Sequence, residues 1–219
     1  QTCALPIYLD LVTIDGAPCA LLSVVPFEDQ DFRAAHWPSP RWRFGQTNYR
    51  IYIVDRTTGE RAVWFLGTTL GSWTVAIPRL LWRLPWHHGT FTIDCAEDAT
   101  GRYTRYRMTT TSAWAPAELE LVHTPGGAIH LPGFDDIDQA ITVLTHPLAG
   151  YYYRRDGRLG SYRVWHERLT PDPGTVQYAR VGLLDRLGLV PFSEQANAHS
   201  ALIQPRTEFL VQLPPRAID

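Results

Sequence analysis

Asn48-Tyr49-Arg50-Ile51-Tyr52-Ile53-Val54 alternates in character along most of its length. Successive side chains of a strand leave opposite faces, so Asn48, Arg50 and Tyr52 share one face while Tyr49, Ile51 and Ile53 share the other. The stretch predicts a β-strand with one aliphatic face that must be covered and one polar face with two possible destinations. Turned into a barrel, an amide, a guanidinium and a phenol can hold a carboxylate or carbonyl, because Arg offers a two-pronged fork. Turned outward, the same residues are the wet side of an edge strand. The residues alone leave both readings open.

Working outward, the chain reads as short strands separated by turn signals. Asp15-Gly16 joins Leu9–Ile14 to Ala17–Pro26 as a hairpin, and Thr57-Thr58-Gly59 returns the central strand into Ala62–Thr68. Residues Phe27–Phe44, with His36, Trp37 and two prolines, read as an irregular loop. Ser72–Trp82 reads as a helix capped by Ser72, with Trp73, Ala76, Ile77, Leu80, Leu81 and Leu84 at helical spacing and Pro78 marking a kink or the true start. Thr90–Cys95 and Arg102–Thr110 form a further hairpin, followed by a strand at Glu118–His123 and a helix at Phe134–Leu144. Gly150–Arg155 and Tyr162–Leu169 flank Asp156-Gly157, Val181–Leu187 is a brief helix, and Ala201–Gln204 and Arg206–Leu213 end the sheet. About ten strands with two or three short helices predict a mainly β (α+β) fold, a barrel or a strongly curved sheet.

Composition bounds the function. The 219 residues suit one domain, and 45% apolar with 19% charged residues is globular rather than disordered. A net charge of −2 supplies no footprint for nucleic acid, and no apolar run is long enough to span a bilayer. Three sparse cysteines, Cys3, Cys19 and Cys95, have no metal spacing and fit a reduced, cytoplasmic setting. Gln1–Ile7 matches what a common sequencing-library adapter encodes, so residues 1–7 are set aside as an artefact. Residues 8–219 are then expected to be one domain without its natural amino terminus. The basic residues are all Arg. Nowhere in these residues is there a lysine.

Several stretches, in order, resemble one family: Ala20-Leu-Leu-Ser-Val-Val-Pro-Phe27, Asn48-Tyr-Arg-Ile-Tyr-Ile53, Ala62-Val-Trp-Phe-Leu66, Leu84-Pro-Trp-His-His88, Gly157-Arg-Leu-Gly-Ser-Tyr162 and Ser200–Pro215. They are similar to a domain-of-unknown-function branch of the acetoacetate-decarboxylase-like superfamily. The resemblance implies a curved double sheet or β-barrel around a small, largely apolar pocket, with polar residues on the strand that holds Asn48 and Arg50. In the true decarboxylases Gly-x-Pro precedes two adjacent lysines, one of which forms an imine while its neighbour lowers its pKa. The similar place here reads Arg83-Leu84-Pro85-Trp86-His87. Trp86 then stands at the imine-forming position and His87 beside it, so the lysine chemistry does not carry over.

Among chemistry-bearing residues, His87 and His88 are the candidate acid or base, since imidazole titrates near neutrality. As strand neighbours they face opposite ways, so only one can reach a pocket, and a hydrogen-bonded scaffold pair is the competing reading. His166-Glu167-Arg168 opens like HExxH but carries Thr170 where the second His belongs; a cross-strand ion pair near Tyr151–Arg155 is its expected use. Glu208 is a strand carboxylate that could pair with Arg50 in the interior, and exposure is the expected outcome. There is no nucleotide, serine-hydrolase or calcium motif, and no cofactor or metal is expected. The expected function is binding of a small organic acid or carbonyl compound, with or without catalysis. Asn48, Arg50 and Tyr52 would orient the ligand and Trp64 and Trp86 pack it. A carrier of an apolar ligand and a protein-interaction domain are the alternatives, and nothing in the residues sets the oligomeric state.

Overall fold

The computed structural model describes residue 6 and residues 9–14, 16–35, 41–125 and 131–218. Strands β1 (Leu9–Ile14) and β2 (Ala17–Cys19) make the first hairpin. Two long strands follow, β3 (Leu22–Ala35) and β4 (Trp42–Asp55), then β5 (Arg61–Leu70). A helical turn leads into α1 (Ala76–Leu81) and the short β6 (Trp86–His88). Strands β7 (Thr90–Glu97), β8 (Tyr103–Thr111) and β9 (Ala117–His123) form a meander. Helix α2 (Ile137–Thr145) precedes the hairpin of β10 (Ala149–Tyr153) and β11 (Leu159–Trp165). Then come β12 (Asp172–Val181), α3 (Gly182–Arg186), and β13 (Ala201–Ile203), β14 (Arg206–Thr207), β15 (Leu210–Gln212) and β16 (Arg216–Ile218).

Six of these strands close on themselves. β3 pairs with β4, β4 with β5, β5 with β10, β10 with β11, β11 with β15, and β15 returns to β3. The fold is therefore mainly β, built on a barrel whose inward side chains fill it as small barrels require. Phe65 and Tyr162 stack inside with ring centroids 5.3 Å apart, and Trp86 meets Tyr162 edge-on. Gly150 on β10 makes room for them, because a Cβ there would lie 2.3 Å from the Phe65 ring.

A second, antiparallel sheet in the order β13-β12-β9-β8-β7 lies over the outer face of β3 and β4. Tyr49, Leu22 and Val24 pack there against Met108, Leu119 and Ile203. The approach is close at Gly45, where a Cβ would meet the Phe91 ring at 2.5 Å. Farther along the same outer face, Ile53 packs with Leu9, Trp64 and Ala149. No helix among the described residues is long and apolar enough to cross a membrane.

Three expectations need correcting. Most of Phe27–Phe44 is strand, not loop, apart from residues 36–40, which lie outside the described ones. Buried carboxylates disguise it: Asp29 and Asp31 occupy inward or bulged positions of β3 where apolar residues would be looked for. Residues Asp172–Val181 are a strand that the sequence reading passed over, since only its last residue is fully buried and polar residues dominate it. Ser72 does cap the helical turn by accepting from the Thr74 amide, but the apolar stripe that follows does not face the core. Trp73, Ala76, Ile77, Leu80 and Leu81 are exposed; Leu84 alone of the stripe is buried, together with Val75 and Pro78.

Candidate functional site

The polar face of β4 points inward. Ser23 of β3 stands opposite Arg50, and its hydroxyl accepts from Arg50 Nε at 3.0 Å. Arg50 Nη2 donates to the Leu144 carbonyl at 2.8 Å and to the Tyr52 hydroxyl at 3.2 Å. The Tyr52 hydroxyl in turn donates to the same carbonyl at 2.6 Å. That carbonyl is in the last turn of α2, where main-chain oxygens lack helical partners and carry the negative end of the helix dipole. So α2 positions Arg50 without neutralising it. Arg50 is 9% exposed, and no carboxylate among the described residues pairs with it. A buried cation that lacks a counter-ion is costly and is ordinarily paired.

Next along the strand, Asn48 Oδ1 accepts from Gln46 Nε2 at 2.9 Å and from the Thr68 hydroxyl at 3.0 Å. Its amide nitrogen is left for another acceptor. Gln46 Oε1 is buried and has no hydrogen-bond partner.

These groups lie between two spaces. Inside the barrel is a cavity of about 30 Å³, lined by Gln46, Asn48, Arg50, Trp86 and His166 among aromatic and aliphatic walls. Outside it is a cleft of about 430 Å³, lined mainly by apolar residues of β3, of the second sheet and of residues 190–209. Asn48, Arg50 and Phe209 belong to the walls of both. The cleft exists because β3 is unpaired along one edge: residues Leu22–Phe27 pair with β4, and the strands on the opposite edge join only at Glu28.

The sequence-derived residues separate into three groups. Asn48, Arg50 and Tyr52 come together as described, with Trp86 on the far wall of the small cavity. Trp64 does not join them. It alternates with Val63 and Phe65, which line the cavity, and so packs on the outer face against Ile53 and Tyr153. His87 and His88 line neither space. The His87 ring stacks on Trp114, and Arg79 Nη1 lies 2.9 Å from its Nδ1. Burial first, and then the nearby Arg79, Arg155 and Arg186, push the imidazole down to about 4. His88 is exposed.

The histidine that reaches the cavity is His166, 3% exposed. Its Nδ1 lies 2.8 Å from the Glu167 carbonyl, and its ring meets His146 edge-on with centroids 5.4 Å apart. Burial lowers its pKa, so the neutral form is favoured. In the sequence it sits after Trp165 at the end of β11, where the aromatic is the natural core choice. The structure reverses this, leaving Trp165 about half exposed. Arg168 pairs with Asp138 at 2.6 Å, not with the Tyr151–Arg155 strand, and Glu208 is exposed. No group of three or more metal-binding side chains occurs among the described residues.

No curated protein matches the chain. Among solved structures it is similar to acetoacetate decarboxylase from Legionella pneumophila subsp. pneumophila str. Philadelphia 1. That match has a TM-score of 0.50 and 10% identity, covering 99% of this chain and 78% of the other. It is also similar to the enduracididine biosynthesis enzyme MppR complexed with pyruvate, with a TM-score of 0.46 and 11% identity over 81% of this chain and 67% of the other. At such identities the likeness to the decarboxylase concerns the fold alone, which is acetoacetate-decarboxylase-like. The model of the DUF2071 family, an uncharacterized conserved protein, matches residues 2–207, and the chain belongs to that family.

Proposed function

We propose that this protein binds a small organic acid, seating the carboxylate on Arg50 and Asn48 and the apolar body in the 430 Å³ cleft. One observation carries the reading: Arg50 is a buried guanidinium without a carboxylate partner among the described residues, at the shared wall of two cavities. A ligand carboxylate would supply the missing counter-charge in a poorly hydrated setting, where such a pair is strong. The apolar lining favours an aliphatic chain over a sugar or a nucleotide.

A catalytic version of the reading rests on His166. A buried neutral imidazole on the same cavity can exchange a proton with a bound ligand without any lysine. The imine route is closed, because no side-chain amine exists in these residues.

The test is calorimetric titration with octanoate, octanol and octylamine, on the wild type and on Arg50→Met. Octanoate is expected to bind, the alcohol and the amine at least tenfold more weakly, and the variant to lose most of the octanoate affinity. Equal affinity for the acid and the alcohol, unaffected by Arg50→Met, would overturn the carboxylate assignment and leave an apolar carrier.

A further inference from the structure

The open edge of β3 presents main-chain groups to the cleft, and two hydrogen bonds fix which ones. The Tyr52 amide donates to the Leu21 carbonyl at 3.1 Å, so the main-chain groups of Leu21, Ser23, Val25 and Phe27 point at β4. The Glu28 amide donates to the Pro205 carbonyl at 2.7 Å on the other side, as the alternation requires. The N–H and C=O groups of Leu22 and Val24 therefore point out of the edge, where no strand joins before Glu28 among the described residues. Pro26 has only a carbonyl to offer there. The cleft runs along this edge and not over one face of the strand. Every residue from Leu21 to Phe27 lines it, whereas a space over one face would meet alternate residues only. Leu22–Pro26 are all half-buried for the same reason. Arg50 reaches toward the edge. From β4 its Nε extends to Ser23, between Leu22 and Val24, and its Nη1 takes no partner among the described residues.

We infer that the ligand carries a secondary amide one carbon away from its carboxylate, so that the ligand class is an N-acyl amino acid with an apolar acyl tail. The inference rests on the carboxylate reading above. With the carboxylate on Arg50 beside Ser23, the amide falls about one residue, or about 3.3 Å, along the strand, opposite Leu22 or Val24. There its C=O accepts from an edge N–H and its N–H donates to an edge C=O, as an added strand does. A plain fatty acid passes the same place with methylenes and leaves both edge groups without partners in a mainly apolar cleft. The acyl tail then continues among the apolar residues that line the cleft, such as Leu119, Leu121 and Val176.

The distinguishing experiment titrates the wild type with four acids of equal chain length: undecanoate, N-octanoylglycine, its N-methyl derivative and the ester octanoyloxyacetate. N-Octanoylglycine is expected to bind about tenfold more tightly than undecanoate. The N-methyl amide and the ester have no N–H to give and should bind no more tightly than undecanoate. Amide hydrogen exchange, read by NMR, should slow at Leu22 or Val24 in the N-octanoylglycine complex relative to the undecanoate complex. Affinity for the ester or for undecanoate equal to that for N-octanoylglycine, or exchange at both residues that does not differ between the two complexes, would overturn this inference and leave the carboxylate reading standing. An acetylated tripeptide with a free carboxyl terminus that binds as tightly as N-octanoylglycine would overturn the acyl class in favour of a peptide end. No binding of any acid would overturn both readings.

Discussion

The imidazole of His87 lies flat on the indole of Trp114, with ring centroids 3.9 Å apart and planes inclined by only 4°. Arg79 always donates, so His87 Nδ1 must accept and the ring proton sits on Nε2. That arrangement suits a neutral ring and resists a charged one.

His87 accordingly titrates about 4 when folded, against an ordinary value of 6.5. As pH falls, the unfolded chain takes up this proton before the folded one does. The stabilisation is complete above about 6.5 and is lost progressively as pH falls toward about 4. NMR titration should place His87 near the lower value. Denaturant midpoints at pH 7.5 and 5.0 should differ less in His87→Gln than in the wild type. A His87 resonance titrating near 6.5 would refute the account.

Asp29 is expected to behave in the opposite sense. Burial raises its carboxyl to about 7 from 3.8, although amides of Asp31 and Phe209 pull it down. The folded chain then holds a proton that the unfolded chain has already released. The stabilisation from the neutral acid is complete below about 3.8 and is lost as pH rises through about 7. Asp29→Asn keeps an acceptor for the Asp31 amide and removes the ionisation. It should raise stability at pH 8 by about 1–2 kcal/mol and change little at pH 4. A destabilised variant at pH 8 would show that the carboxylate is needed.

Arg50 and Tyr52 share the Leu144 carbonyl, and their replacement should nonetheless have different effects on the unliganded protein. Arg50→Met removes a buried cation with no counter-ion among the described residues and should shift unfolding by less than about 1 kcal/mol in either direction. Tyr52→Phe leaves that carbonyl with the guanidinium alone and should cost about 1 kcal/mol. Thermal or urea unfolding of both variants checks the contrast; a loss of several kcal/mol in Arg50→Met would mark it as purely structural.

Borohydride reduction in the presence of a carbonyl compound should leave no side-chain adduct, since the residues contain no amine to form an imine. Mass spectrometry of proteolytic fragments reads this directly, and a reduced adduct on an internal residue would contradict it.

Gly45→Ala should be among the most harmful small substitutions. Its Cβ would overlap the Phe91 ring at 2.5 Å, forcing the second sheet away from the barrel. A loss of about 2–4 kcal/mol is expected. The double variant with Phe91→Ala should recover part of it, and a simple sum of the two losses would disprove the contact.

The fold was legible where side chains follow the alternation of a pleated strand. Asn48–Val54 declares both its faces, and Ile53 and Tyr52 lie where that alternation sends them. It was illegible where burial and polarity part company. Asp29 and Asp31 are buried in β3 and made a strand look like a loop, while Trp73 and Leu80 are exposed and made a surface turn look like core. The site followed the same division. Arg50 could be placed because its neighbours are regular. His166 could not, because it lies at a strand end beside a larger aromatic, and its position depends on α2 and residues 206–212, far away in sequence. Trp64 failed through a strand-parity error: one step along β5 separates the cavity wall from the outer face.

Strands β3 and β4 each lend one face to the barrel and the other to the overlying sheet. Neither layer has a complete core without them, so neither can persist while the other melts. Unfolding should therefore be a single cooperative transition, and a lesion in the outer sheet, such as one at Met108, should loosen the ligand site as well. In this protein binding affinity and global stability are linked through two shared strands.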